Sequence, residues 1–173
     1  MRNWRVTPIH RRSSRRLWTM GALGGALAAV ALGVFAAFQV ELIERLSRVW
    51  SAQKAVLAEG KAIYSQYCAR CHGANLEGQP DWRRRLPSGR LPAPPHDASG
   101  HTWHHSDRTL FEITKKGTAT VVGGGYESDM PAFDGVLSDD QIRSVLAFIK
   151  STWPERQRQF QDRVSQNEQA ARK

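Results

Sequence analysis

Cys68-Ala69-Arg70-Cys71-His72 sets two thiols on either side of two residues, with an imidazole directly after the second. A C-x-x-C-H run is the attachment signature of c-type haem: the two sulfurs meet the two vinyl groups of one porphyrin while the adjacent histidine reaches the iron. Other uses of such a pair fit less well. A thioredoxin-like dithiol requires a surrounding βαβ pattern, which is missing. Half of a Cys2His2 zinc site would have to borrow loop histidines at irregular spacing. A plain disulfide between Cys68 and Cys71 leaves His72 unexplained.

A low-spin carrier needs a sixth ligand opposite His72. Of the three methionines, Met1 opens the chain, Met20 lies in a long apolar run, and Met130 remains, 58 residues beyond His72 and just after Gly123-Gly124-Gly125. Its thioether is a soft neutral donor that raises the potential relative to two imidazoles. The alternative is a core methionine beside a proline, with His96, His101, His104 or His105 on the iron instead. Those histidines share the segment Arg83 to His105 with Arg83-Arg84-Arg85 and Arg90. The simpler reading is a solvated loop over the haem edge, with Trp103 against the porphyrin and an arginine or ring nitrogen on a propionate. A second metal such as copper, which imidazoles suit, is the sharper one, and the arginines would also suit an acidic docking partner.

The elements that must carry these residues are helical. Ala52 to Tyr67 has a partial apolar stripe (Ala55, Val56, Ala62, Ile63, Tyr67) without proline, and delivers the cysteines. Gly73 to Gly100 contains five prolines and admits no long regular element. Ser106 caps a short helix through Leu110, Phe111 and Ile113 that ends at Gly117 after Lys115 and Lys116. Ser138-Asp139-Asp140-Gln141 is a capping box opening a helix with Ile142, Val145, Leu146 and Ile149 on one face, and Pro154 lies just beyond it. No internal repeat is visible, and residues 154–173 read as a polar tail.

The 173 residues suit one domain plus appendages. Residues 1–16 hold six arginines and no acid, whereas residues 41–173 carry 19 Lys and Arg against 16 Asp and Glu. The head is therefore only weakly basic despite a chain total of +9, which argues against nucleic acid as a partner. Leu17 to Val40 is uncharged for 24 residues. At about 1.5 Å per residue it is long enough for a hydrocarbon core of about 30 Å. A cleaved signal peptide is the competing reading, with Ala29-Val30-Ala31 or Val34-Phe35-Ala36 as the site. The run continues past the first site, however, into Glu/Arg pairs of helical spacing at 41–48, so an uncleaved anchor is expected. Arginines before the span place the N-terminus in the cytoplasm and the head outside it. Gly21-x-x-x-Gly25 is a weak sign of helix packing within the membrane.

Residues 52–153 resemble the class I monohaem cytochrome c family, as a membrane-anchored bacterial member. The resemblance is carried by Gly60-x-x-x-Tyr64, the C-x-x-C-H, Met130-Pro131-Ala132-Phe133 and the helix from Leu137-Ser138-Asp139-Asp140-Gln141-Ile142 to Phe148. It implies an all-α haem domain behind an N-terminal transmembrane helix, with one covalent haem c on Cys68 and Cys71 and iron between His72 and Met130. Its first and last helices would cross where Gly60 and Tyr64 meet Val145 and Phe148, and Pro92, Pro94 or Pro95 would accept the His72 ring N–H. The long Arg83–His105 segment departs from minimal members. The expected organisation is a basic cytoplasmic segment (1–16), an anchor (17–40), a helical linker (41–51), the haem domain (52–153) and the polar tail (154–173). The expected function is single-electron transfer rather than catalysis. The head would sit in the periplasm, tethered to the inner membrane between a respiratory donor complex and a terminal oxidase or similar acceptor. A fixed haem subunit of such an oxidase is the alternative, and a haem enzyme or gas sensor would need an open iron position.

Overall fold

The computed structural model describes residues 14–173, with side chains from residue 32 onward. Residues 1–13 and the side chains of 14–31 lie outside the described part, and with them nearly all of the basic segment and most of the expected span at 17–40. Among the described residues there is no strand, and no helix is long and apolar enough to cross a membrane. The chain divides into two compact units, residues 1–50 and 51–173.

Helix α1 runs Ser14–Ile63. In the first unit its side chains from Leu32 to Trp50 are almost all exposed, Phe35, Phe38, Ile43 and Val49 among them. The expected Glu/Arg pairs form, Glu41 with Arg45 at 2.6 Å and Glu44 with Arg48 at 3.8 Å.

In the second unit α1 passes without a break into a single π-helical stretch, Tyr64–Cys68, and then into the short α2, Ala69–His72. A 3-10 turn at Thr102–His104 precedes α3 (Asp107–Lys116), α4 (Thr118–Val122), α5 (Asp139–Ser151) and α6 (Glu155–Ala170). The caps follow from side-chain chemistry. Ser106 Oγ accepts the Thr109 N–H at 3.1 Å and opens α3, whereas Ser138 and Gln141 form a reciprocal capping box on α5. The core gathers Ile63, Tyr64, Leu110, Phe133, Leu137, Ile142, Val145, Ile149 and Trp153 from these helices, the loop before α5 and the turn after it.

The crossing expected at Gly60 is present, with Ser144 rather than Val145 as its closest neighbour. A Cβ on Gly60 would collide with the Ser144 carbonyl oxygen and lie 2.9 Å from Phe148 Cβ. Tyr64 packs against the Phe148 ring at 5.6 Å, and Ser144 Oγ donates to Glu59 at 2.7 Å.

The polar stretch after Pro154 forms α6 and packs on the 3-10 turn and α3. Its attachment is mostly polar: Gln161, fully buried, donates to Asp107 at 2.8 Å, the Asp107 N–H donates to Ser165 Oγ at 3.0 Å, and Ser106 Oγ donates to Glu168. An apolar stripe therefore gave no warning of it.

Candidate functional site

The π-helical stretch and α2 together carry Cys68, Cys71 and His72. Both thiols are free and partly buried. Burial and the neighbouring Cys71 push the Cys68 thiol up to about 11, which keeps it protonated at neutral pH. His72 is buried, and burial lowers its pKa against the opposing effect of a hydrogen bond to Pro94. That bond joins Nδ1 to the Pro94 carbonyl at 2.8 Å. A carbonyl only accepts, so Nδ1 carries the proton and Nε2 keeps its lone pair.

Of the three prolines the sequence offered, the fold uses Pro94. Gly78 permits this approach: at φ +70° it sits so close to the loop that a Cβ would lie 2.7 Å from the Pro94 carbonyl carbon and 2.8 Å from Pro95 Cδ. The turn after His72 is closed by Gly78 N–H to His72 O at 2.7 Å and by the Tyr64 hydroxyl to Gly73 O at 2.8 Å. Tyr64, whose own ionisation burial pushes upward, thus ties the end of α1 to the turn that follows α2.

Met130 is partly buried against the same core. The segment after it is pinned to the end of α3 by Phe133 N–H to Thr114 O at 3.2 Å and Asp134 N–H to Lys115 O at 2.9 Å. Phe133 meets Tyr67 edge-on at 6.1 Å, joining the Met130 loop to the residue before Cys68. Thr118, at the start of α4, donates its hydroxyl to Met130 Sδ at 3.2 Å. Arg90 crosses from the proline-rich loop to Glu127 at 3.3 Å and to Asp129. Sequence reasoning missed Thr118, which carries no motif, and offered Arg90 for a propionate or an acidic partner rather than for Glu127 and Asp129.

The histidines of the long loop make different ring contacts, and His101 also meets His105 edge-on at 5.4 Å. His96 stacks on His72. His101 stacks on Trp82 with ring centroids 5.3 Å apart, and Arg83 lies over the other ring of that pair, Trp82, at 4.1 Å. His104 packs between Trp103 and Phe160. Among the described residues no group of three or more His, Cys, Asp or Glu is placed to hold a metal ion. Trp103 sits edge-on to Phe160 of α6, and its indole N–H is buried with no protein acceptor. A buried, unanswered donor of this kind suits an acceptor that the chain itself does not contain, such as a carboxylate of a bound cofactor.

An all-helical domain with two free thiols and a carbonyl-oriented histidine on one short turn has the make-up of a protein that binds haem c covalently. The chain belongs to the cytochrome c family, whose profile matches residues 57–153. Membership implies covalently bound haem c, and the residues present fit it: a free thiol pair and an imidazole with Nε2 available, with the Met130 thioether packed against the same core. The chain is also similar to the cbb3-type cytochrome c oxidase subunit CcoP of Azospirillum brasilense, 29% identical over 100 residues. The subunit of the same description from Azospirillum sp. (strain B510) is 29% identical over 101 residues. Each match covers 57% of this chain and 29% of the relative, so the chain spans under a third of the curated proteins it matches. No solved structure matches the chain significantly.

Proposed function

We propose that this cytochrome c is a membrane-anchored electron carrier with one haem c, attached through Cys68 and Cys71 and ligated by His72 and Met130. The observation that carries the reading is the Pro94 carbonyl on His72 Nδ1, beside two unoxidised thiols. Haem c supplies a one-electron ferric/ferrous couple when bound. The chain's residues hold and orient it. Cys68 and Cys71 tether it, Pro94 fixes the His72 tautomer, and Thr118 holds Met130 by its sulfur while leaving a second sulfur lone pair for the iron. The apolar core formed by Ile63, Leu110, Phe133 and their neighbours packs against Met130 and Cys68. With His72 and Met130 both holding the iron, no position would be left for a substrate or gas, which favours electron transfer over catalysis or gas sensing.

The proposed organisation is cytoplasmic residues 1–16, an anchor at 17–40, a helical linker at 41–51 and the haem domain at 52–153, with the head in the periplasm and the polar stretch from 154 packed on that domain as α6. Six arginines before the apolar run support this orientation. The likeness to CcoP supports a second reading, that the chain is a fixed haem subunit of a terminal oxidase.

The full-length protein, expressed with a haem-attachment system, tests these readings. It should sediment with membranes, keep its haem colour on a denaturing gel, and lose its head to protease added from the periplasmic side. Colour lost on denaturation would refute covalent attachment. A mature chain free in the periplasm and starting after residue 31 or 36 would refute the anchor. Stoichiometric co-purification with an oxidase would favour the fixed subunit over the mobile carrier.

A further inference from the structure

We propose that His96 is a positioning residue that sets the plane of the His72 ring; this rests on His72 being the proximal haem ligand. The Pro94-Pro95-His96 stretch reaches His72 twice. Pro94 O takes the ring edge, and the His96 imidazole covers a ring face, with centroids 3.9 Å apart and planes 23° from parallel.

The two contacts do different things. A single hydrogen bond at Nδ1 sets where that atom points but leaves the ring free to tilt about the N–H···O direction. A parallel ring against one face resists that tilt.

His96 is itself held firmly enough to impose a plane. Its Nδ1 lies 2.9 Å from Thr102 Oγ1, whose only proton is directed at Pro95 O, 3.3 Å away, so His96 donates and the hydroxyl accepts. Its backbone N–H donates to Leu76 O at 2.8 Å, and its carbonyl accepts the indole N–H of the fully buried Trp153 at 2.7 Å. The Tyr64 ring closes a further side edge-on at 6.2 Å. No charge is required of His96 for this role. Partners beyond the first ligand commonly orient a ligating histidine through hydrogen bonds, whereas here a ring does so by stacking.

The orientations of the two iron ligands together decide how unpaired spin is shared among the porphyrin pyrroles, and the variants below leave Met130 unchanged. The haem-methyl proton shifts of the ferric holoprotein therefore report that plane, and do so independently of electron-transfer activity. The parent should be compared with His96→Leu, His96→Phe and Thr102→Val, all matured with haem. His96→Leu, which fills the space without a flat face, should reorder or compress the methyl shifts. His96→Phe, which restores a flat ring, should return them towards the parent pattern. Thr102→Val, which frees His96 but leaves the core in place, should move the same resonances in the direction of His96→Leu by a smaller amount, and it serves if His96→Leu does not fold. A parent-like methyl pattern in the folded, haem-loaded Leu and Val variants would overturn the proposal while leaving haem ligation by His72 intact. A parent protein that holds no haem would overturn the ligation reading, and this inference with it.

Discussion

Replacing Gly60 with alanine should destabilise the haem domain, although the same change in an exposed helix would stabilise it. The added Cβ would lie 2.6 Å from the Ser144 carbonyl carbon and 2.9 Å from Phe148 Cβ. The first of these neighbours is backbone, so no change of rotamer relieves the clash. Restoring ordinary carbon contacts of about 3.5–4.0 Å requires α1 and α5 to move apart by roughly 1 Å. Overpacking of this kind costs about 1–3 kcal/mol. Separation also loosens the Ser144–Glu59 hydrogen bond, a net contribution of about 1 kcal/mol. Against these stands a gain of about 1 kcal/mol from replacing glycine by alanine within a helix. The net is a loss of about 2 kcal/mol, which at roughly 4 °C per kcal/mol lowers Tm by roughly 8 °C. Thermal unfolding of the haem-loaded protein, followed by far-ultraviolet circular dichroism, measures it. A Tm equal to or above that of the parent would refute the close crossing, because propensity alone predicts a rise.

Exchanging both Cys68 and Cys71 for alanine should abolish haem colour on a denaturing gel while the parent keeps it. Met130→Ala should remove the long-wavelength ferric absorption of methionine ligation, lower the reduction potential by on the order of 0.1 V and let carbon monoxide bind the ferrous protein, all read by spectroelectrochemistry and gas titration. Ser138→Ala removes one half of the α5 capping box and should cost about 1 kcal/mol in a denaturant titration. The pKa of His101 is lowered by burial and then by His105, His104 and Arg83, and that of His105 by burial and then His104. In both cases the unfolded chain binds the proton more readily, so stability is full above the ordinary value of 6.5 and is lost as pH falls from there towards the lowered folded values. A midpoint of denaturation that does not fall between pH 7 and pH 5, or one whose fall is unchanged in a His101→Asn, His105→Asn double variant, would contradict this.

The parts of the site that rest on local chemistry could be read in the sequence. The C-x-x-C-H, the cap at Ser106 and the box at Ser138 each need only neighbours within four residues, and the glycine at 60 needs only the absence of a side chain. What escaped depends on distant pairs. Three prolines were equal candidates for His72 until the fold brought Gly78 against the Pro94-Pro95 pair. His96 looked like one of four loop histidines, and only the return of Trp153 and Thr102 to its sides distinguishes it. Helix α6 gave no amphipathic signal, because Gln161 and Ser165 face inward and make hydrogen bonds to α3 and the turn before it. Phe148 stands at the Gly60 and Tyr64 crossing as expected, whereas Ser144 rather than Val145 supplies the nearest backbone, because the crossing angle that decides this belongs to the pair of helices rather than to either sequence.

The π-helical stretch at Tyr64–Cys68 acts as a phase shifter. A π turn accommodates one residue more than an α turn, and one residue is worth about 100° of rotation at 3.6 residues per turn. Upstream of it, the azimuth of α1 is dictated by Gly60 facing α5; downstream, the azimuth of α2 is dictated by where Cys71 and His72 must project. An uninterrupted α-helix would link those two demands, so that any adjustment of the crossing would swing the attachment residues with it. The surplus residue offsets the second demand from the first by that rotation. Deleting one residue from this stretch would leave every side chain of the motif in the sequence and rotate the whole group out of register, a lesion of timing along the helix rather than of composition.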